Sequence, residues 1–132
     1  MSDLILVCIA LLGLLVFVLG ANVTRHRILR STTGEPQAPN DPTDRLLIAV
    51  RAHGNAAEYI PTLAILLIVA STLTSGWWIE SLAVAALSVR ALHAFGMITA
   101  KTLAAHGPVR DIGAFGTYIV GISLAITVLA NL

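Results

Sequence analysis

The sequence predicts an all-α integral membrane protein, a bundle of four transmembrane helices. Hydrophobic residues make up 57% of its 132 residues and charged residues only 11%, and the mean hydropathy of +0.87 lies outside the range of ordinary soluble domains. The apolar residues fall into four stretches, each long enough to supply the roughly 20 helical residues that cross a hydrocarbon layer of about 30 Å. We therefore predict a single domain, 1–132, with helices over about 4–23, 46–74, 77–105 and 110–131.

The first stretch, "LILVCIALLGLLVFVLGANV" (4–23), is uncharged. Asp3 precedes it, with no Lys or Arg, which favours a retained span over a cleaved signal peptide. Residues 24–45 then mix charge with Pro, Gly and Asn, a composition typical of a solvent-exposed connection with turns.

Short connections separate the remaining spans. Ser75 and Gly76 leave almost no loop between the second and third helices, so the two are expected to form a tight antiparallel hairpin with Trp77 and Trp78 at the membrane interface. The segment "HGP" (106–108) is expected to end the third helix.

The distribution of positive charge predicts the orientation. Lys and Arg residues near the spans lie in or beside the first and third connections: Arg25, Arg27, Arg30, Arg45, Lys101 and Arg110. The positive-inside rule therefore places these two connections in the cytoplasm and both termini outside. The net charge is only +1, and the eight Lys and Arg residues are scattered along the chain, so they form no basic face that would indicate a nucleic-acid-binding protein.

Polar residues form stripes inside two of the predicted spans. Arg51, Asn55 and Glu58 are spaced i, i+4 and i+7 on the second helix, and Arg90 and His93 begin a similar stripe on the third. With a rise of about 1.5 Å per residue, Glu58 lies about 18 Å from the cytoplasmic start of its helix and Arg90 about 21 Å from the cytoplasmic end of the next. The two are expected at one level, where they could pair within one chain or between neighbouring chains.

The membrane limits what these charges can contact. Each charge at a helix centre costs roughly 2.5–3.5 kcal/mol, so the stripe must face protein or trapped water rather than lipid. A structural ion pair between Glu58 and Arg90 is one interpretation. The other is a ligand site, because Arg51, Arg90 and Arg110 outnumber the nearby carboxylates and guanidinium groups bind a carboxylate in a bidentate manner.

The motif "RAHGNAAEYIP" (51–61) resembles the second-helix signature of the MAPEG family, the membrane-associated proteins of eicosanoid and glutathione metabolism. "RALHAFG" (90–96) and "GPVRDIG" (107–113) follow in the order that the family shows, and the whole is similar to its short bacterial members. The resemblance implies a homotrimer in a bacterial inner membrane, with glutathione bound between subunits on the cytoplasmic side as a cosubstrate. It implies a transferase or peroxidase that acts on a hydrophobic small-molecule electrophile.

The resemblance also assigns roles to individual residues. Arg51 would bind a glutathione carboxylate, Asn55 its backbone, Glu58 the γ-glutamyl ammonium, and Tyr59 would border the site. Arg110 matches the arginine that stabilises the thiolate in the family, a role that suits an adjacent guanidinium. Arg30 is similar to an arginine that helps to bind the peptide. Arg90 and His93, which come from the polar stripe on the third helix and not from the resemblance, complete the predicted binding set. No metal site is predicted, because the histidines lack ligand spacing.

Some positions depart from the family pattern and leave alternatives open. The third helix offers His93, Phe95 or Met97 where eicosanoid enzymes supply tyrosines, and Asp111 follows Arg110 and could neutralise it. A non-enzymatic lipid or small-anion binding protein on the same scaffold is therefore the alternative function, and an ion pathway is a third. In the fourth helix, the small residues Gly113, Gly116 and Thr117 are expected to line a trimer axis, and Tyr118 to be a packing residue.

Overall fold

The structure is a computed structural model that describes residues 1–132, and it contains four α-helices. Each is long and apolar enough to cross a membrane, as predicted. Their bounds are α1 Asp3–Thr33, α2 Arg45–Leu73, α3 Trp77–Ile98 and α4 Pro108–Leu129. The α1–α2 and α3–α4 connections lie at one end of the bundle, here called the connection end, and the α2–α3 turn lies at the opposite hairpin end.

Helix α1 ends ten residues later than predicted, at Thr33 rather than at residue 23. The charged residues after Val23 mark where the chain leaves the apolar layer, but they contain neither Pro nor Gly, so nothing interrupts the backbone hydrogen bonds. Gly34 stops the helix, with φ of 71° in the left-handed region that favours glycine. The connection with turns is therefore shorter, residues 34–44, and α1 projects about 15 Å beyond its apolar stretch.

Asp44 joins the end of this connection to the start of α2. Its Oδ1 accepts hydrogen bonds from the backbone amides of Leu46 and Leu47 at 2.8 and 3.1 Å, which caps the helix. Its Oδ2 accepts from the guanidinium of Arg30 near the end of α1. Just upstream, the backbone amide of Thr43 donates to Asp41 at 2.8 Å and lowers the pKa of that carboxyl, so the turn is ordered by local hydrogen bonds.

The hairpin end is as tight as predicted, with only 74–76 between α2 and α3. Gly76 has φ of 109°, a conformation that an L side chain rarely adopts. Trp78 Nε1 donates to Thr127 Oγ1 at 3.1 Å, which ties the start of α3 to the last turn of α4. The two adjacent tryptophans thus lie at the hairpin end, in the first turn of α3.

Helix α3 ends at Ile98, seven residues earlier than predicted, and the segment "HGP" does not end it. No residue in 99–105 breaks a helix, so the cause is tertiary. Leu103 donates its backbone amide to the carbonyl of Pro42 at 2.9 Å, and the carbonyl of Ala100 accepts from Arg45 Nη1 at 3.1 Å. These backbone groups bond to the α1–α2 connection instead of continuing the helix. Helix α4 then begins at Pro108, in a position where the missing amide costs nothing.

Helices α3 and α4 approach most closely at two glycines. A Cβ on Gly113 would lie 2.5 Å from the backbone nitrogen of His93, and one on Gly96 would lie 2.6 Å from that of Arg110. The side chain of Thr117 is also buried against α3. The expectation that the small residues of α4 line a trimer axis is therefore wrong, because this surface is covered within the chain by α3.

Candidate functional site

Two sets of polar residues lie at the level of the predicted stripes, and α2 contributes to both. One set faces inward, between α2, α3 and α4, and is here called the interior cluster: Asn55, Tyr59, Arg90, Thr117 and Tyr118. The other faces outward and is here called the charged α2 face: Arg51 and Glu58. Arg51, Asn55 and Glu58 share one stripe of α2, in which Asn55 lies on the edge toward α3 and the two charged residues lie on the exposed edge.

Arg90 is the centre of the interior cluster and is only 1% exposed. Its Nη2 donates to Asn55 Oδ1 at 2.8 Å and its Nη1 to Thr117 Oγ1 at 3.3 Å. The guanidinium carbon lies 5.4 Å from the centroid of the Tyr59 ring, within cation–π distance. Arg90 is therefore held by neutral oxygens and an aromatic face, with no carboxylate in contact.

The predicted pairing of Glu58 with Arg90 does not occur within the chain. The depth of Arg90 was counted from a helix end at residue 105, whereas α3 ends at Ile98. Counted from Ile98, Arg90 lies about 12 Å deep, close to Asn55 at about 15 Å and well short of Glu58 at about 20 Å from the start of α2. Asn55 also faces Arg90, whereas Glu58 is exposed on the charged α2 face.

Tyr59 and Tyr118 close the outer side of the interior cluster. Their hydroxyl oxygens are 3.3 Å apart and their rings meet edge to face with centroids 5.9 Å apart. The interior cluster encloses a small pocket with these lining residues: Asn55, Tyr59, Arg90, His93, Ala114, Thr117 and Tyr118. Tyr118 was expected to be a packing residue, but the structure gives its hydroxyl a polar partner beside the site.

His93 links α3 to the start of α4. It is 6% exposed, and its Nδ1 lies 2.9 Å from the backbone carbonyl oxygen of Arg110. Because a carbonyl oxygen can only accept, Nδ1 carries the proton. The other ring nitrogen, Nε2, is buried without a hydrogen-bond partner, as is Nε of Arg90. Both residues line the same small pocket.

The side chain of Arg110 is 15% exposed and lies at the connection end. Its Nη2 donates to the carbonyl of Ala105 at 2.7 Å, and its Nε is 3.8 Å from Asp111 Oδ1. Asp111 also lies 3.3 Å from Nδ1 of the exposed His106. Arg110 borders an open pocket of about 320 Å³ formed by the α3–α4 connection, so its guanidinium is reachable but partly compensated.

A family model decides the identity of the fold: the model described as "MAPEG family" matches residues 5–130, nearly the whole chain. The chain belongs to the MAPEG family. The predicted resemblance is thus confirmed. No curated protein matches the chain. Membership and the four apolar helices together make it an integral membrane protein in contact with the bilayer, with a function related to glutathione or eicosanoids.

Within this MAPEG chain, Arg30 lies apart from the other predicted site residues. Its Nη2 bonds Asp44, its Nη1 donates to the carbonyl of Pro36, and its Nε is 3.6 Å from Glu35. These contacts fold the α1–α2 connection against the end of α1. The guanidinium is therefore already occupied by groups of the chain itself.

Unlike Arg30, the residues of the charged α2 face have no partners within the MAPEG chain. Arg51 and Glu58 are exposed, and neither makes an ion pair or a side-chain hydrogen bond within the chain. Together with Tyr59 they form the part of the predicted site that is open to a ligand or a neighbouring copy.

Sequence reasoning missed Thr117 and Tyr118 as members of the interior cluster. They are adjacent polar residues in an otherwise apolar stretch of α4, which was an available signal. This face of α4 was expected to line a trimer axis. Contacts of Thr117 and Tyr118 with polar residues of α2 and α3 were therefore not considered.

Proposed function

We propose that this MAPEG protein is a glutathione-dependent membrane transferase or peroxidase that acts on a hydrophobic electrophile. It works as a homotrimer, in a bacterial inner membrane, with the connection end in the cytoplasm and both termini outside. The observation that carries the proposal is the charged α2 face. Arg51 and Glu58 are exposed in a membrane-spanning helix, and the chain supplies no partner for either.

The energetic argument is that such a face does not remain in contact with lipid. A charge at a helix centre costs roughly 2.5–3.5 kcal/mol, and Glu58 lies about 20 Å from the start of α2. Polar groups from outside the chain must therefore cover the face, supplied by a second copy and by a ligand. A cation and an anion on one stripe suit a zwitterionic ligand.

Glutathione has the chemistry and the length for this stripe. The seven residues from Arg51 to Glu58 span about 10.5 Å of helix, comparable to three extended residues at about 3.5 Å each. Arg51 binds a tripeptide carboxylate through a bidentate guanidinium contact, and Glu58 accepts from the γ-glutamyl ammonium. Tyr59 borders the ligand between the charged α2 face and the interior cluster.

The side-chain amide of Asn55 uses its oxygen within the chain and leaves its NH₂ group free. Arg90 can only donate, so the amide oxygen of Asn55 faces Arg90 and its Nδ2 is the group left for a ligand. In the proposed complex, Nδ2 donates to a backbone carbonyl of the tripeptide. Arg90 supports the site by orienting Asn55 and Tyr59, and Arg30 holds the α1–α2 connection at its border.

Arg110 provides the activating charge. A thiol with its usual pKa of about 8.5 is mostly protonated at neutral pH, and an adjacent guanidinium lowers that pKa by stabilising the thiolate. In the transferase reaction the thiolate sulfur bonds to the electrophilic carbon of an apolar substrate while the bond from that carbon to its leaving group breaks, and the leaving group departs with the electron pair. In the peroxidase reaction the sulfur bonds to a peroxide oxygen while the O–O bond breaks, the alkoxide takes a proton from water, and a second glutathione converts the sulfenic acid to the disulfide and water. The apolar substrate is concentrated at the lipid boundary. The pocket beside Arg110 gives a thiol access to the guanidinium.

Calorimetric titration of the detergent-solubilised protein with glutathione tests the proposal. Arg51→Ala and Glu58→Gln are each expected to weaken binding at least about tenfold, since a charge-assisted hydrogen bond contributes about 1.5–3 kcal/mol. Arg25→Ala is the matched control, because Arg25 is an exposed arginine on α1 outside the site. Absence of binding at millimolar glutathione, or equal affinity in Arg51→Ala, would rule the proposal out.

A non-enzymatic lipid or small-anion binding protein is the second candidate, favoured by the carboxylate beside Arg110. Asp111 and the Ala105 carbonyl both reduce the positive potential that a thiolate needs. Lipid mass spectrometry of the purified protein distinguishes the two functions. A retained phospholipid or fatty acid that glutathione does not displace favours the binding protein, whereas a higher thiolate fraction of bound glutathione in Asp111→Asn favours the enzyme.

A further inference from the structure

We infer that His93 is a positioning residue, which holds the first turn of α4 through its Nδ1–H group and thereby fixes Arg110, and that it makes no contact with the tripeptide. The inference rests on the proposed function for the role of Arg110. The geometry of the link itself does not depend on a ligand. It concerns a histidine whose position in the family pattern would otherwise make it a binding residue.

The two ring nitrogens of His93 are both removed from the ligand surface. Nδ1–H donates to the carbonyl oxygen of Arg110 at 2.9 Å. Nε2 is buried by the chain's own atoms and has no partner. Because added subunits can only increase burial, no tripeptide atom reaches Nε2 without a rearrangement of α2, α3 or α4.

The link lies where α3 and α4 are closest. His93 and Gly96 are three residues apart on α3, and Arg110 and Gly113 are three residues apart on α4. Each glycine meets the backbone of the opposite helix beside the linked residue, at 2.5–2.6 Å for an added Cβ. Glycine contacts allow close approach but leave the helices free to slide, whereas a directional hydrogen bond fixes their register.

The position of Arg110 depends on this register. Its guanidinium is anchored by one strong hydrogen bond to Ala105, in the irregular α3–α4 connection, and by a longer contact to Asp111. The backbone of Arg110 is therefore held mainly through α4 and the His93 link. A displacement of about 1 Å at a catalytic group can cost about a hundredfold in rate.

Two substitutions distinguish the effect of the hydrogen bond between His93 and Arg110 from the effect of side-chain volume at position 93. His93→Asn places an amide N–H close to where Nδ1–H lies, whereas His93→Gln places it closer to Nε2. Both variants keep a neutral polar side chain at a buried position. We expect His93→Asn to retain the wild-type thiolate fraction of bound glutathione within about twofold, and His93→Gln to lose about tenfold in kcat, equivalent to about 1.4 kcal/mol, with KM nearly unchanged.

Nitrogen NMR of histidine-labelled protein in detergent tests the link without glutathione. The His93 signal, assigned by its absence in His93→Asn, is expected to report the Nδ1–H tautomer. Amide hydrogen exchange in the first turn of α4 is expected to be faster in His93→Gln than in the wild type. An Nε2–H tautomer, in which Nδ1 has no proton to donate to the Arg110 carbonyl, would overturn the inference.

Kinetics and titration complete the test. If His93→Asn and His93→Gln both weaken glutathione binding and leave the thiolate fraction unchanged, His93 contacts the tripeptide and the inference is wrong. If the wild-type protein binds no glutathione, the proposed function fails, while the NMR and exchange results still decide whether His93 holds α4. In the Arg110→Ala background, His93→Gln is expected to cause no further loss of thiolate.

Discussion

The interior cluster and the charged α2 face are neighbours on one stripe of α2, but their charged groups have opposite surroundings. Arg90 is closed off by Asn55, Thr117 and the Tyr59 ring, all from the same chain. Arg51 and Glu58 have no such partners. Arg90 therefore stabilises the fold of the single chain, whereas Arg51 and Glu58 are left to interact with groups from outside the chain.

The interior cluster also shows that a buried arginine in a membrane protein needs no carboxylate. Hydrogen-bond acceptors and an aromatic face replace water around the guanidinium, and the cation remains uncompensated. A neutral environment of this kind holds the helices together, and in the proposed complex it reaches the ligand only through Asn55 and Tyr59. The charged α2 face differs in both respects. It contributes little to the stability of one chain, but it provides most of the polar surface that is open to a ligand.

The largest expected effect is that of Arg90→Ala. The substitution leaves Asn55 Oδ1 without its donor and opens a cavity between α2, α3 and α4, so we expect a loss of about 3 kcal/mol in the free energy of unfolding. Denaturant unfolding of the ligand-free protein in detergent measures it. Arg51→Ala is the matched control and should change stability by less than about 0.5 kcal/mol.

A large loss of stability in Arg51→Ala would break the comparison. It would mean that a second copy alone pairs with Arg51 in the absence of ligand, so that Arg51 stabilises the subunit interface instead of binding the ligand. Equal and small losses in both variants would contradict the structural role given to Arg90.

The sequence predicted the class of the fold and the four spans, because hydropathy reports directly on what must lie in the membrane. It placed the ends of α1 and α3 wrongly for two different reasons. Charge after Val23 marks the edge of the apolar layer, but a helix continues through charged residues until a residue such as Gly34 stops it. Helix α3 ends because the backbone groups that follow it form hydrogen bonds with Pro42 and Arg45. Such tertiary contacts cannot be predicted from a local sequence pattern.

Gly113→Ala should have the next largest effect, since it disturbs the frame of the interior cluster. The new Cβ would meet the backbone of His93 at 2.5 Å, and a backbone atom cannot move aside without moving a helix. We expect a loss of about 2 kcal/mol, in the usual range for overpacking. Thermal unfolding followed by circular dichroism measures it, with Gly13→Ala as control because nothing lies within 4 Å of that position. Equal melting temperatures in the two variants would contradict the close approach of α3 and α4.

Asn55→Ala and Glu58→Ala compare the inner and outer edges of the α2 stripe, about one helical turn apart. Loss of the Asn55 oxygen leaves Nη2 of the buried Arg90 without its acceptor, so we expect a cost of about 1.5 kcal/mol. Glu58→Ala should leave stability within about 0.5 kcal/mol, because Glu58 has no partner in the chain. Urea unfolding of both variants provides the measurement, and a reversed order would place Glu58 rather than Asn55 in the interior.

The error in pairing Glu58 with Arg90 shows what spacing can and cannot predict. One member of each stripe does meet the other, since Arg90 donates to Asn55. The partner at each level depended on where α3 ends, and a shift of seven residues at that end moves the expected contact by about 10 Å. Thr117 and Tyr118 were missed because the rotation of α4 is set by Gly96 and Gly113, whose contacts appear only when the helices are packed.

Tyr118→Phe should have the smallest effect, because it acts at the boundary between the two regions. The substitution removes a 3.3 Å contact between two hydroxyls, one of them on a half-exposed ring, and keeps the edge-to-face packing on Tyr59. We expect about 0.5 kcal/mol in stability, at the low end for a neutral hydrogen bond. Tyr59→Phe removes the same contact, so the double substitution should cost no more than either single one, and unfolding of all three variants completes the cycle. Additive losses would mean that each hydroxyl has a separate partner, which would move Tyr118 out of the interior cluster and onto the ligand-facing surface.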